Sequence, residues 1–229
     1  MPLLADLTWP EIAERAAAGA LLAVPVGATE QHGPHMPLST DTDVAVALCE
    51  RLAAARVDVL IAPPVAYGSS GEHAGFAGTL SIGQAAVELL LIELGRSASD
   101  TFAHVIFVSA HGGNAEPVTR AVAQLRAESR DTRVFMPRWD GEAHAGRAET
   151  SMLLALARRV RMDVAVPGNT RPLEEIWPQL RSGGVRAVSR NGVLGDPTGA
   201  SADEGHDLFN RLAAQLVDEV AAWRPAVTA

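Results

Sequence analysis

The sequence contains no lysine, and all of its 19 residues of lysine or arginine type are arginine. This absence excludes a Schiff-base lysine, a P-loop lysine and a Ser-Lys dyad as catalytic groups. Cys49 is the single cysteine, so the chain cannot form an internal disulfide or a cysteine-rich zinc or iron–sulfur site. A reducing compartment fits this cysteine usage, and we expect a cytoplasmic protein.

Positive charge and long apolar runs are also scarce. The 27 acidic residues give a formal net charge of −8, so the chain lacks a basic field that would attract nucleic acid or anionic lipid. No segment approaches the roughly 20 apolar residues of a membrane span, and the first residues do not resemble a signal peptide. We therefore expect a soluble protein whose partners include neither nucleic acid nor membrane.

Apolar residues are plentiful, at 48% of the 229 residues, and the length suits one domain spanning residues 1–229. Unalternated apolar runs of strand length, typical of strands covered on both faces, alternate with helical patterns. The predicted strands are Leu21–Val26, Asp58–Ala62, His104–Ser109 and Arg133–Met136, and the helices between them are Asp43–Ala55, Gly83–Ser99 and Glu116–Ser129. This order predicts an α/β fold, with three α/β/α layers around a mainly parallel sheet.

Three more helices lie outside this alternation. Thr8 and Glu11 form a capping-box pattern that predicts a short helix near the N-terminus. Helical patterns also cover Glu149–Arg159 and Ala202–Trp223. A stretch rich in glycine, proline and asparagine, Pro167–Gly199, separates these last two.

Polar residues collect in the segments that follow the predicted strands. In an open parallel sheet, ligands bind beyond the carboxyl ends of the strands, where loops converge. Six of the seven histidines lie in or beside these segments, and His206 is the exception. We therefore expect the functional site at this edge of the sheet.

The segment after the first strand, residues 30–43, has the densest chemistry. Glu30, His32 and Asp41 supply the oxygen and nitrogen ligands that divalent transition metals accept. Asp41 stands at the head of the next helix, where its carboxylate could bridge two ions. A solvated loop in which Asp41 caps the helix is the alternative interpretation.

The segment after the third strand reads His111-Gly112-Gly113-Asn114. Glycines at this point would let another group or a ligand approach the backbone closely. A His-Gly-Gly tripeptide also resembles the oxyanion loop of some α/β-hydrolases, which need a Gly-x-Ser-x-Gly elbow. No such elbow occurs in the sequence, and a Ser-His-Asp esterase is therefore disfavoured.

His144 and Glu149 lie in the segment after the fourth strand, at the opening of an apolar helix. Taken alone, Glu149 would simply complement the helix dipole. Together with the other two segments, it supplies a further carboxylate to a site that already holds Glu30, His32, Asp41 and His111.

These segments, read in order, resemble the creatininase-like family of amidohydrolases. The resemblance extends over nearly the whole chain and rests on four separated motifs: Gly27-Ala28-Thr29-Glu30-Gln31-His32-Gly33-Pro34-His35 with Thr40-Asp41, Gly71-Glu72-His73, His111-Gly112-Gly113-Asn114, and His144-Ala145-Gly146 with Glu149-Thr150-Ser151. The family implies a parallel sheet between helices, a homo-oligomer that is usually a hexamer, and two divalent metal ions per chain.

By motif, the resemblance implies that Glu30, Asp41 and His111 hold one ion, while His32 and the bridging Asp41 hold the other. True creatininases carry a glutamate two residues beyond the motif histidine, where this chain has Gly113. The missing carboxylate is then expected from Glu149, as in the branch with the His-Gly-Gly-Asn form. This departure argues against creatinine as the substrate.

Within that branch, the chain is similar to the mycofactocin-system peptidases, with Ser39 and Ala110 as minor departures. The similarity implies a small ribosomally made precursor peptide as the partner, from which a modified dipeptide derived from C-terminal Val-Tyr is released. A non-peptide amidohydrolase of the same family, such as a formamide deformylase or a creatinine hydrolase, is the alternative. A metal-free binding scaffold is the non-enzymatic alternative.

The implied reaction is amide hydrolysis at a two-metal site, with zinc, iron or manganese as the candidate ions. His144 would protonate the leaving amine, and a structural histidine that caps the next helix is the alternative. Glu72 and His73 would line the site and orient the ligands. Trp139 would cover the substrate, unless it serves only in packing.

Overall fold

A computed structural model of the chain describes residues 3–139 and 142–224. The strands are β1 (Leu21–Val26), β2 (Val59–Ile61), β3 (His104–Ser109) and β4 (Thr132–Phe135). The helices are α1 (Trp9–Ala17), α2 (Thr40–Ala55), α3 (Gln84–Ser99), α4 (Ala115–Ala127), α5 (Arg147–Ala155), α6 (Leu173–Val188) and α7 (Ala202–Trp223). Short 3-10 turns occur at Leu4–Asp6, Gly71–His73, Gly112–Asn114, Met162–Val164 and Pro197–Gly199.

The four strands form one parallel sheet in the order β2-β1-β3-β4. β1 pairs with β3 from Leu21 opposite His104 to Val26 opposite Ser109, and on its other edge it pairs with β2. The strand order therefore reverses between β1 and β3, and this is the point at which an open α/β sheet forms its ligand crevice.

Helices cover both faces of the sheet. One core cluster packs side chains of α2, α5 and α7 against Leu21, Ala23 and Ile106. The other packs α3 and α4 against Leu22, Val24 and Phe107, with α1 at its edge. Neighbouring residues of β1 thus point to opposite cores, which explains its uninterrupted apolar sequence. The predicted three-layer α/β/α fold with a parallel sheet is confirmed.

The predicted elements agree with the structure apart from their ends and one helix. The bounds of β1, β3 and α7 are as predicted, and Glu11 accepts hydrogen bonds from the backbone and hydroxyl of Thr8 at the start of α1. The interpretation of Pro167–Gly199 as only a separating stretch is wrong, because it contains α6. Pro178 and the non-helical Gly184 interrupt the pattern by which a helix is recognised.

Among the described residues, no helix is both long enough and apolar enough to cross a membrane.

Candidate metal centre

Two loops and two helix starts bring ionisable side chains together at the carboxyl edge of the sheet. The loop after β1 carries Glu30 and His32, and Asp41 lies in the first turn of α2. His111 directly follows β3, and Glu149 lies in the first turn of α5. All five side chains are buried. They meet at the carboxyl edge of the sheet, where we expected the functional site, and beside the switch point between β1 and β3.

Glu30, Asp41 and His111 form one group whose potential ligand atoms all lie within 4.8 Å of one another. His111 lies 3.3 Å from Glu30 and 3.5 Å from Asp41, measured from Nε2 to Oε2 and from Nδ1 to Oδ2. These three residues are the set that the sequence motifs implied for the first ion.

His32, His144 and Glu149 form a second group of the same size. The Nε2 atom of His32 lies 3.3 Å from Oδ1 of Asp41, so the two oxygens of Asp41 face His32 and His111 respectively. This arrangement gives Asp41 the position of a bridge between the groups. His144, which we expected to carry a proton, is thus also placed where it could bind a metal ion.

The hydrogen bonding of the histidines suits metal ligation. In metal sites, a ligating histidine typically donates its other ring N–H to a carbonyl or carboxylate. Here His32 Nδ1 lies 3.2 Å from the Glu30 carbonyl, His111 Nε2 lies 2.9 Å from the Ser69 carbonyl, and His144 Nε2 lies 2.8 Å from the Gln31 carbonyl. Each ring therefore keeps one nitrogen lone pair directed away from the backbone.

Several buried polar atoms in this cluster lack hydrogen-bond partners among the described residues. They are Oε1 and Oε2 of Glu30, Nε2 of His32 and Oδ2 of Asp41. Buried carboxylate oxygens without a partner cost considerable free energy, and such groups usually bind a metal or share a proton. The donor set, two or more carboxylates with imidazoles, fits divalent transition metals, so the residues present fit the implied ions.

Burial and mutual charge shift the pKa values of the ligand groups. Burial, reinforced by Asp41, raises the pKa of Glu30 to about 8, and burial raises that of Glu149. Burial alone would lower the pKa of His32, but the carboxylates of Asp41, Glu149 and Glu30 together outweigh it and raise the value to about 10. In the absence of metal, Glu30 and His32 therefore hold protons near neutral pH, and a metal cation would have to displace them.

His144 differs from His32 in charge state. Burial, together with the positive field of His32, lowers the pKa of His144 well below its usual range. Because Nε2 donates to the Gln31 carbonyl, the free lone pair is on Nδ1, which lies 3.9 Å from Oε1 of Glu30. Its neighbour Leu194 fixes the backbone, since the two residues form an antiparallel bridge.

Asn114 ties the loops of the site to one another. Its side-chain oxygen accepts from the Ser69 amide, and its NH₂ group donates to the Gly27 carbonyl, each at 2.9 Å. Asn114 is buried, and it ends the 3-10 turn that carries Gly113. A β-carbon at Gly113 would collide with the Ser69 carbonyl, Oε1 of Glu72 and Nε2 of His111. The loop after β3 therefore needs glycine at position 113.

The remaining predicted site residues have different locations. His73 is buried, with Nε2 3.2 Å from Oε1 of Glu30. Glu72 is partly exposed, with Oε1 3.7 Å from Nε2 of His111. Trp139 is half-buried and packs against the core cluster of α2, α5 and α7, so its contacts are those of a packing residue. Its cover of a substrate stays a prediction.

One histidine of the predicted collection lies elsewhere. His104 begins β3, so it stands at the amino edge of the sheet, opposite the site, where Nδ1 lies 3.0 Å from Asp131 and the ring packs edge-on against Trp223. His104 was grouped with the site histidines because it is close in sequence to the third strand. It lies at the opposite end of that strand, however, and the two ends of a six-residue strand are far apart.

Gln31 is a site residue that the sequence motifs contained but did not single out. Its buried carboxamide lies between His73, His144 and Gly192. Gly192 lies in the stretch Pro167–Gly199, which the sequence analysis described only as rich in glycine, proline and asparagine, and its approach to Gln31 depends on long-range contacts.

Comparison with known proteins shows the same fold and chemistry. The family model described as creatininase, creatinine amidohydrolase, matches residues 5–220. The mycofactocin precursor peptide peptidase of Mycolicibacterium smegmatis is 51% identical over 214 residues, covering 90% of this chain and 86% of that protein. Structures titled "Creatininase Mn" and a Zn-Zn type mutant creatininase superpose with TM-scores of 0.82 and 0.81 at 25% identity, each covering 97% of this chain and 98% of the other.

Fold and site together define a hydrolase that acts on amide bonds. The chain belongs to the creatininase family, as its motifs predicted.

Proposed function

We propose that this protein is a metal-dependent peptidase that releases the modified C-terminal dipeptide, derived from Val-Tyr, from the mycofactocin precursor peptide. The observation that carries the proposal is the buried cluster of carboxylates and imidazoles with unpartnered atoms at the sheet edge. The substrate follows the name of the M. smegmatis relative, which is similar over most of both chains.

The ligand assignment uses both groups of the cluster. Glu30, Asp41 and His111 would hold one ion, and His32, Asp41 and Glu149 the other, with zinc, iron or manganese as candidates. Bound ions would polarise the scissile carbonyl and lower the pKa of a water molecule. The oxygens of Asp41 face both groups, so its loss should affect both ions.

The residues of this chain supply the proton transfer. His144 is neutral because its pKa is low, and its Nδ1 atom carries the free lone pair. Nδ1 would take up the proton released by the attacking water and deliver it to the leaving amine nitrogen, so the amine departs neutral. The partly exposed Glu72 lies at the rim, where it would contact the substrate and His111.

Cys49 takes no part in this reaction. It is buried inside α2, and burial raises the pKa of its thiol far above the usual range. A thiolate nucleophile at this position is therefore disfavoured.

The experiment incubates metal-loaded protein with the modified precursor peptide and, separately, with creatinine and formamide substrates. Mass spectrometry should detect the released dipeptide, with little turnover of the small amides. Asp41→Ala should abolish release. Asp43→Ala is the matched control, because Asp43 lies in the same helical turn and faces Arg158 instead. Preferred turnover of a small amide would support the non-peptide alternative.

A further inference from the structure

Four buried histidines surround the candidate metal centre, and one of them has the opposite hydrogen bonding. His32, His111 and His144 each have one ring nitrogen beside a backbone carbonyl. His73 instead places Nδ1 2.9 Å from the side-chain nitrogen of Gln31. A carbonyl accepts a proton, whereas an amide NH₂ group donates one, so the two environments favour different ring tautomers.

The orientation of the Gln31 carboxamide is fixed by its other contacts. Its oxygen accepts from the Gly33 amide at 2.9 Å, and its nitrogen lies 3.1 Å from the Gly192 carbonyl. A flipped carboxamide would place an oxygen against the Gly192 carbonyl and an NH₂ group against the Gly33 amide, losing both bonds. The atom facing His73 is therefore the nitrogen.

The protons can be assigned by matching donors with acceptors. The Gln31 NH₂ group has two hydrogens, and three possible partner atoms lie within 3.1 Å: His73 Nδ1, His144 Nε2 and the Gly192 carbonyl oxygen. His144 Nε2 has its own acceptor, the Gln31 carbonyl at 2.8 Å. The two hydrogens then go to His73 and Gly192, and every donor is satisfied.

This assignment leaves the proton of a neutral His73 on Nε2. That atom lies 3.2 Å from Oε1 of Glu30, and His73 forms a group of potential metal ligands with Glu30 and His144. A protonated nitrogen cannot ligate a metal, but it stabilises a neighbouring carboxylate.

The backbone at Gly192 is shaped to contact the Gln31 carboxamide. Gly192 has φ of +82°, and a β-carbon there would overlap the Gln31 carboxamide. Glycine at this position therefore lets the carbonyl of residue 192 approach the buried amide, which joins the segment beside His144 to the loop after β1.

We propose that Gln31 is a positioning residue, whose carboxamide keeps the ring proton of His73 on Nε2, so that an N–H group and not a metal-ligating lone pair faces Glu30. The proposal rests on the proposed function in so far as Glu30 is taken as a ligand. Its consequence is that the group of Glu30, His73 and His144 does not hold an ion.

The direct test is the ring tautomer of His73 in the zinc-loaded protein, measured by long-range ¹H–¹⁵N NMR spectra with ¹⁵N-labelled histidine. His73→Gln assigns the signals. We expect the Nε2–H form in the wild type. In Gln31→Glu the new carboxylate accepts but cannot donate, so a proton should appear on Nδ1. Gln179→Glu is the matched control, since Gln179 donates to a carbonyl on the exposed part of α6.

A second variant tests the effect on turnover. Gln31→Met keeps the side-chain length but has no donor, and kcat should fall by roughly 10–100-fold, with KM within a few fold and both ions retained. An Nδ1–H form or a zinc-bound Nε2 in the wild type would overturn the proposal, and so would an unchanged kcat in Gln31→Met. The NMR test needs no substrate, so a wild type that fails to cleave the peptide would count against the proposed function alone.

Discussion

Gly113 has no room for a side chain beside the candidate metal centre. A β-carbon there would meet the Ser69 carbonyl, Glu72 and His111 at once. We predict that Gly113→Ala displaces His111 and lowers the metal content of the purified protein, together with its turnover. Elemental analysis of the folded variant measures the first effect.

The neighbouring Gly112 is a matched control. No described residue lies within 4 Å of the position that its β-carbon would occupy, apart from its chain neighbours. Gly112→Ala should therefore keep metal content and activity close to the wild type. If both alanine variants behave alike, the contacts of Gly113 do not explain its presence.

Replacing His144 tests whether this residue carries a proton or binds a metal ion. His144→Ala should retain both ions and the fold, while kcat falls by roughly 10²–10⁴-fold because the amine would leave unprotonated. KM should change much less, since the proton transfer acts mainly in the transition state. Loss of an ion would make His144 a ligand of the group it forms with His32 and Glu149.

At the residue scale, motifs predicted which ionisable groups meet, but not the neutral residues that hold them. Glu30, His32, Asp41, His111 and Glu149 follow or begin predicted elements at one sheet edge, so strand order alone brings them together. Gln31 and Asn114 act through hydrogen bonds to loops 42 to 161 residues away. Such contacts have no periodic signal in the sequence.

At the scale of the elements, Asp58 links the end of α2, the start of β2 and the end of α7. Its carboxylate accepts two hydrogen bonds from the buried Arg56 and lies 3.2 Å from Nη1 of the buried Arg224. Arg56 also donates to the Arg224 carbonyl. This network lies away from the candidate metal centre, so it affects stability separately from activity.

We predict that Asp58→Asn lowers the free energy of unfolding by about 2–3 kcal/mol, because it leaves two buried guanidinium groups without their counter-charge. Urea unfolding monitored by circular dichroism measures the change. Metal content and kcat of the folded fraction should stay at wild-type values. Asp207→Asn, on α7, is a control, since that residue is exposed. Equal stability of the two variants would contradict the role given to Asp58.

The predicted and observed bounds of the elements show which sequence patterns identify an element and which do not. β1 and β3 are continuous apolar runs that end at a change to polar residues, and their bounds were predicted without error. α6 was missed because Pro178 and the Gly183-Gly184 pair resemble loop residues, although α6 buries Ile176, Leu180 and Val185 in a small core. Tertiary packing stabilises this helix against its weak local propensity.

At the scale of the whole molecule, metal binding should depend on pH. The pKa values of Glu30 and His32 are raised, to about 8 and about 10, so both groups hold protons at neutral pH in the metal-free protein. A metal must displace these protons, and rising pH therefore favours binding. We predict that zinc affinity increases from pH 6.5 to pH 8.5, by about tenfold per pH unit for each group that loses a proton to the metal, and less steeply once the pH exceeds the pKa of that group.

Competition with a chelator, corrected for the protonation of the chelator itself, measures this dependence. Asp41→Ala should bind so little zinc that the dependence disappears. An affinity that is constant over this pH range, or that falls as pH rises, would show that the ligand groups do not hold these protons.

The fold explains where the candidate metal centre lies. A sheet whose order reverses between β1 and β3 brings together the loops after these strands, which carry Glu30, His32 and His111. Asp41 and Glu149 join them from the starts of α2 and α5. The homo-oligomer implied by the family resemblance stays a prediction, which sedimentation or light scattering would test.

The most direct test of the metal-dependent mechanism is a titration of metal-stripped protein with zinc, in which bound ions and peptide cleavage are measured on the same samples. The ligand set predicts that cleavage rises with zinc and becomes maximal at two ions per chain, and that Asp41→Ala neither binds zinc tightly nor cleaves. Full activity in the stripped protein, or activity that is maximal at one ion per chain, would contradict the two-ion site.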